Sequence, residues 1–434
     1  MMKQIWKWMI VIPIVVGIVV SALITVKNQA VKMNEKNKMQ KIFGSLNSKP
    51  AEITKFYTYG TSLNVEGNIS GIAKDNFEGI KLVVVDGQDF EKTYPLTYSF
   101  GEDGKLNFST GDSINHAINL EEFPVENKYF VQIRVKANNS KNYKYYTLLN
   151  VSEYKDIEYY TLTKNKKNHK IDIKFEKENY NDKEYAYLGL NVKEATLPES
   201  VYDIVVDSGH GGTDKGEVSG VDNERDLMLE YGKNLKEALE AEGYKVKLTR
   251  DDTNTDSFTD KNMYDENGRI TIACKTKAKY MISLHTADEG YSGIEVYVPN
   301  NSDFSFASNL ANNIYHSSSL EFSSNKLYRK QDGVYQKNYN KDAITTYTAN
   351  LRKQGIEPYE ITTDTPRLYT IREVGGIATH AYVDGRNKNF SANQFYNSNQ
   401  GIECYQISIG SIKKDKEILL SEKEQIVKAI ADVF

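Results

Sequence analysis

The chain has 434 residues, 26% of them charged and 39% hydrophobic, and a formal net charge of −4. That near-neutral balance sets up no broad basic field for nucleic acid, and the apolar fraction is that of folded protein. Two cysteines, Cys274 and Cys404, exclude a disulfide scaffold and an all-cysteine metal site, while the length suits two or three domains.

Residues 1–8 are a short segment carrying Lys3 and Lys7. Met9 to Val26 follow as an uncharged apolar run of about 18 residues, enough to cross a bilayer, so 9–26 is read as a transmembrane anchor. Cleavage at the weak Val20-Ser21-Ala22 site is the alternative. Lysines after the span (Lys27, Lys32, Lys36, Lys38, Lys41) favour an N-outside chain, but a large domain that follows an anchor is translocated regardless of such charges. The expected location is the cell membrane, single-pass, with the bulk of the chain extracytoplasmic. Residues 27–50 read as a polar stalk.

Residues 51–198 read as strands. Ile80–Val85, Tyr129–Val135, Tyr145–Leu149 and His169–Phe175 are rich in β-branched and aromatic residues and are separated by turn residues. The expectation is an all-β, sandwich-like module with no catalytic constellation.

Residues 199–434 follow a different pattern. Asp203–Asp207 is a short apolar strand, and Ser208-Gly-His-Gly-Gly-Thr213 a glycine-rich loop. Leu227, Met228, Tyr231, Leu235 and Leu239 then recur at helical spacing, Gly243 stops the helix, and Tyr244–Arg250 is the next strand. This βαβ unit implies a mostly parallel sheet flanked by helices. A helix near Arg269–Ala278, strands Tyr280–His285 and Ile294–Val298, a helix over Phe304–Ser318, a last strand Ile402–Ile409 and a closing helix Ser421–Phe434 complete it. Residues 321–370 read as an irregular insertion.

His210 follows a strand, Glu224 opens a helix, and His285 ends a strand. Singly, each has an ordinary reading: a loop histidine, a helix-start acid favoured by the dipole, a strand-end histidine. Together they stand where an open parallel sheet gathers its ligands, and two histidines with one glutamate are the ligand set of a hydrolytic zinc site.

The run Ile204-Val-Val-Asp-Ser-Gly-His-Gly-Gly-Thr-Asp214-Lys-Gly216, with Asn223–Asp226, Leu248–Arg250, Ile282-Ser-Leu-His285 and Gly293–Tyr297, resembles the zinc-dependent N-acetylmuramoyl-L-alanine amidases of bacterial cell walls. The resemblance covers roughly residues 202–434. An anchor and a β module ahead of this domain resemble a membrane-tethered subgroup. It implies Zn2+ on His210, Glu224 and His285, peptidoglycan as partner and no nucleic acid. The reaction implied is hydrolysis of the amide between the lactyl group of N-acetylmuramic acid and L-alanine. Arg269 and Arg372 are implied as substrate-binding residues, with a structural loop role open for the second.

The family's general base is a glutamate on the last strand. Aligning Gly410 with the family glycine puts Ser408 in that position, and a serine is no base at neutral pH. Glu403 is the candidate catalytic substitute, although on a regular strand it points to the opposite face from Ser408. Asp288 and Glu289 are other conceivable bases. The expected function is thus a zinc amidase. The alternatives are an impaired pseudo-amidase that binds peptidoglycan or regulates at the envelope, and a purely structural envelope protein without metal.

Overall fold

The computed structural model describes residues 33–44, 49–111, 117–123, 126–165, 168–255, 266–288, 290–298, 304–337 and 400–434, with a few single positions besides. The apolar run 9–26 lies outside the described residues, as do Glu289, Arg372 and nearly all of 338–399. Among the described residues no helix is long and apolar enough to cross a membrane.

Residues 51–194 form two facing sheets. One runs in the order Leu148–Asn150, Ala51–Tyr59, Ser62–Ile69, Leu106–Ser109, Thr97–Phe100. The other runs Ile157–Tyr160, His169–Tyr180, Lys183–Glu194, Asn127–Lys136, Gly79–Val85, Glu91–Pro95. Alternating side chains explain the arrangement: Ile53, Phe56 and Val65 from one sheet meet Leu82, Val131 and Leu188 from the other in a single core. The region read as a stalk departs from expectation. Residues 33–43 are helical, and Met39, Ile42 and Phe43 cover Val83, Val85, Phe130 and Tyr187 on the outer face of the second sheet. Those strands are apolar on both faces, so the outer face needs a cover as well.

The second domain is numbered separately here: β1 (Ile204–Ser208), α1 (Glu224–Ala241), β2 (Val246–Leu248), α2 (Arg269–Lys275), β3 (Tyr280–His285), β4 (Ile294–Tyr297), α3 (Ser305–Ser317), β5 (Arg329–Gln331), β6 (Val334–Tyr335), β7 (Glu403–Ile409), α4 (Lys416–Ser421) and α5 (Lys423–Ala431). The sheet order is β2-β1-β3-β7-β4-β6-β5. The four strands from β2 to β7 are parallel, whereas β4 runs antiparallel to β7. The sheet is therefore mixed. The beginning of the stretch read as an irregular insertion is part of it, since β5 and β6 extend its edge. Helices α1, α3 and α5 cover one face through Met228, Leu235, Leu310 and Ile430, while α2 covers the other through Ile270 and Ala273.

The sandwich joins this domain at the N-terminal ends of the parallel strands. Thr58 and Tyr59 pair with Gln400 and Gly401, just ahead of β7. Beside them Lys279, 2% exposed, lies 3.8 Å from Asp203 and over the ring of Tyr159, while Asp203 accepts from the backbone N–H of Thr163. The opposite, C-terminal ends of the strands are left open.

Candidate metal centre

The loop after β1 owes its path to two buried arginines. Asp207, fully buried, accepts from Arg269 at 2.6 Å, Thr249 Oγ1 at 2.7 Å and Ser283 Oγ at 2.7 Å. Burial alone would raise its pKa, but Arg269 and the two hydroxyls outweigh that and hold the carboxyl below its ordinary value. Arg269 also donates to the carbonyl of His210 at 3.2 Å, and Arg250 donates to those of Ser208 and Gly209 at 3.0 and 2.8 Å. The chain is thereby pinned so sharply that His210 takes a φ of 61°, unusual for a residue with a side chain. The two glycines that follow, Gly211 and Gly212, have φ of 151° and 57°.

Helix α1 brings the carboxylate. Asn223 caps it by accepting from Asp226 N–H at 3.1 Å, and the apolar stripe Leu227, Met228, Tyr231 and Leu235 fixes its rotation against the sheet. Glu224, in the first turn, is consequently turned inward and is 3% exposed. Its Oε2 lies 3.0 Å from His210 Nε2 and its Oε1 3.3 Å from His285 Nδ1. Backbone N–H groups of Thr286 and Glu217 donate to the same carboxylate at 2.7 and 3.1 Å. Burial works against its charge, yet the hydrogen bonds from His210 and His285 hold its pKa far below the usual carboxylate range.

His210, Glu224 and His285 thus converge, with ligand atoms all within 4.8 Å of one another. One ligand atom from each residue is near enough to the others for the three to share a small divalent cation. The surroundings fit one too. A Cβ at Gly216 would sit 2.6 Å from Glu224 Oε2 and from the His210 ring, so glycine is what leaves this space. The other ring nitrogen of His210, Nδ1, meets Asp214 Oδ2 at 2.8 Å, the outer-shell partner that orients a ligating imidazole. Sequence reasoning passed over Asp214, although its place four residues after His210 in a tight loop was a usable signal.

Two expectations need correction. Arg269 is not in the substrate groove: it is completely buried and acts on the loop from beneath. Glu403 is not near the trio. The register pairs Tyr280 with Glu403 and His285 with Ser408, so Glu403 begins β7 at the far end of the sheet, about 16 Å down the strand. There Tyr405 donates to its carboxylate, and it packs on Gly60 of the sandwich, where a Cβ would collide with it. Ser408 is level with His285 and 3% exposed, and Gln406 is the residue of β7 that lines the cleft. The cleft, of about 280 Å³, is bounded by the trio with Gly216, Glu217, Thr286, Ala287, Asp288 and Gln406. Its two other acids are engaged: Lys337 lies 2.7 Å from Asp288 and Lys413 2.7 Å from Glu217.

A mixed α/β sheet gathers two histidines and a glutamate at its open end, a group that could hold a metal ion. Residues 204–361 match the family model Amidase_3, N-acetylmuramoyl-L-alanine amidase. No curated protein matches the chain. Among solved structures, the amidase AmiC2 of Nostoc punctiforme is 20% identical, with 54% of this chain and 94% of that chain covered and a TM-score of 0.34. For Cwp6 from Clostridium difficile the values are 18%, 54%, 28% and 0.34, and for the amidase Ami1 from Mycobacterium smegmatis 13%, 54%, 94% and 0.33. At such TM-scores these likenesses carry no argument.

Proposed function

We propose that this chain is a zinc-dependent N-acetylmuramoyl-L-alanine amidase of the cell envelope, held to the membrane by residues 9–26 with its domains outside. The observation that carries the reading is the convergence of His210, Glu224 and His285 at the open end of the sheet, inside the stretch that matches the amidase family model. Zinc held by these three residues would polarise the lactyl carbonyl and lower the pKa of a water. The protein's own part is to keep the ligands fixed: Asp214 orients His210, the N–H groups of Thr286 and Glu217 orient Glu224, and the buried arginines hold the loop. The sandwich, fastened to the opposite end of the sheet, leaves the cleft clear for a polymer.

The test is digestion of purified peptidoglycan by the full chain with added zinc, beside His210→Ala. The expected result is one zinc per chain and stem peptides freed from muramic acid, both lost in the variant. Absence of zinc from the native protein would overturn the reading. A second reading, capture of peptidoglycan with little turnover, is favoured by β7, where the residue level with His285 is Ser408 and the residue on the cleft is Gln406, neither of them a carboxylate.

A further inference from the structure

We infer that Asp415 is a positioning residue for the metal ligand Glu224, acting through the Gly410–Ser411 peptide and the loop that follows His285. The inference rests on the amidase reading above in taking His210, Glu224 and His285 as the ligands.

Strand β7 ends at Ile409, and Gly410, at a φ of 65°, turns the chain towards α4. A peptide unit is planar and trans, so its C=O and N–H point in opposite directions and fixing one fixes the other. In the Gly410–Ser411 unit both are held. The Ser411 N–H donates to Asp415 Oδ2 at 2.7 Å, and the Gly410 carbonyl accepts from the N–H of Ala287 at 2.6 Å. Ala287 follows Thr286, whose own N–H donates to Glu224 Oε1 at 2.7 Å. Thr286 and Ala287 are both buried and both border the cleft. The path from Asp415 to the ligand is thus one peptide plane and one residue step long, with no other side chain in it.

The same Oδ2 accepts from the N–H of Gly293 at 3.1 Å, while the Gly410 N–H donates to the Gly293 carbonyl at 3.1 Å. The loop after His285 is therefore gripped near both ends, at Ala287 and at Gly293, by the turn after β7. Lys414 Nζ adds a bond to the carbonyl of Gly290 at 2.6 Å. An aspartate just ahead of a helix ordinarily gives its carboxylate to the N–H groups of the first turn. Asp415 stands in that place before α4 and makes no such bond. Its carboxylate turns back to the loop, so the helix goes without a side-chain cap and the wall of the cleft is braced instead. Loosening that brace would leave Glu224 oriented from one side, by the N–H of Glu217.

The test uses the full-length chain as native protein, Asp415→Ala, Asp415→Asn and Thr163→Ala. Zinc affinity is read by competition with a chelator, and ligand geometry from the visible absorption of cobalt(II) loaded in place of zinc. Stability is the melting temperature of the metal-free protein. Asp415→Ala should bind zinc about tenfold more weakly, the lower end of the range for a partner that orients a ligand, and should shift the cobalt bands. Asp415→Asn should restore both, since an amide oxygen accepts from the same two N–H groups. Thr163→Ala removes two hydrogen bonds at the sandwich end, to Asp203 and to the carbonyl of Gly243. It should lower the melting temperature to a comparable extent and leave zinc affinity and cobalt bands as in the native protein. Where Asp415→Ala does not fold, Asp415→Ser gives the same comparison, because serine is a good helix cap but too short to reach both N–H groups. Native affinity and native bands in Asp415→Ala overturn the proposal. So does an equal loss of zinc in Thr163→Ala, or an Asp415→Asn protein as weak as Asp415→Ala. A native chain that takes up no zinc fails the amidase reading itself, and this inference falls with it.

Discussion

Arg269 offers the sharpest test of how the ligand loop is held. Arg269→Met keeps much of the apolar stem and removes the guanidinium. Both partners of the Arg269–Asp207 pair are 0% exposed, so Asp207 would be left buried with only the hydroxyls of Thr249 and Ser283 for compensation. Breaking one side of a buried ion pair costs about 3–5 kcal/mol. The lost bond to the His210 carbonyl adds about 1 kcal/mol. A domain of this size loses roughly 2–4 °C per kcal/mol, so its transition should fall by about 10 °C or more in a thermal scan of the metal-free protein. The double variant Asp207→Asn with Arg269→Met removes both charges and should recover part of that loss, since an absent pair is less costly than a broken one. An unchanged transition in Arg269→Met, together with weakened binding of a muramoyl peptide, would refute this reasoning and return the arginine to the substrate groove.

Three further outcomes follow from the geometry. Asp214→Ala removes the partner of His210 Nδ1 and should weaken zinc binding about 10–100-fold in competition with a chelator, with the fold intact by circular dichroism. Gly216→Ala, at a φ of 62° and with its new methyl 2.6 Å from Glu224 and His210, should lose zinc. Gly220→Ala, at 67° with open space around it, should cost about 1 kcal/mol of stability and leave the metal in place. The third concerns acid. The folded-state pKa of Asp207 lies below its unfolded value, so its contribution is complete above about pH 4 and drains away as pH falls through the lower, folded value. Asp207→Asn should flatten that acid limb in melts run from neutral pH down through about pH 4 and below, and an equally steep limb in the variant would count against the ion pair as its source.

Much of the site was legible in the chain. The alternation of an apolar strand, a glycine loop and an amphipathic helix marked a βαβ unit, because burial on a sheet and on a helix face imposes different periods on the residues. The types of His210, Glu224 and His285, and their places at element boundaries, followed from that pattern. The two-period reading also separated an all-β N-terminal region from a region of sheet and helices.

What local pattern left open was which residues meet. Spacing told that Glu403 and Ser408 point to opposite faces, but not that β7 lies beside β3 with Ser408 level with His285. That register comes from packing Tyr405, Ile407 and Ile409 into the core under the helices. It sends Glu403 to the sandwich end, sets Ser408 level with His285 and leaves Gln406 on the cleft. Residues 33–43 were likewise polar enough to read as a stalk, and only the second sheet's apolar outer face shows why Ile42 and Phe43 are there. Arg269 carries a charge that suggests a ligand, yet burial beside Asp207 makes it a support of the loop. Composition and period are local quantities and survive in the one-dimensional chain. Depth, register and the partner of a charge arise only when distant segments pack, and here they decide which candidates stand at the candidate site.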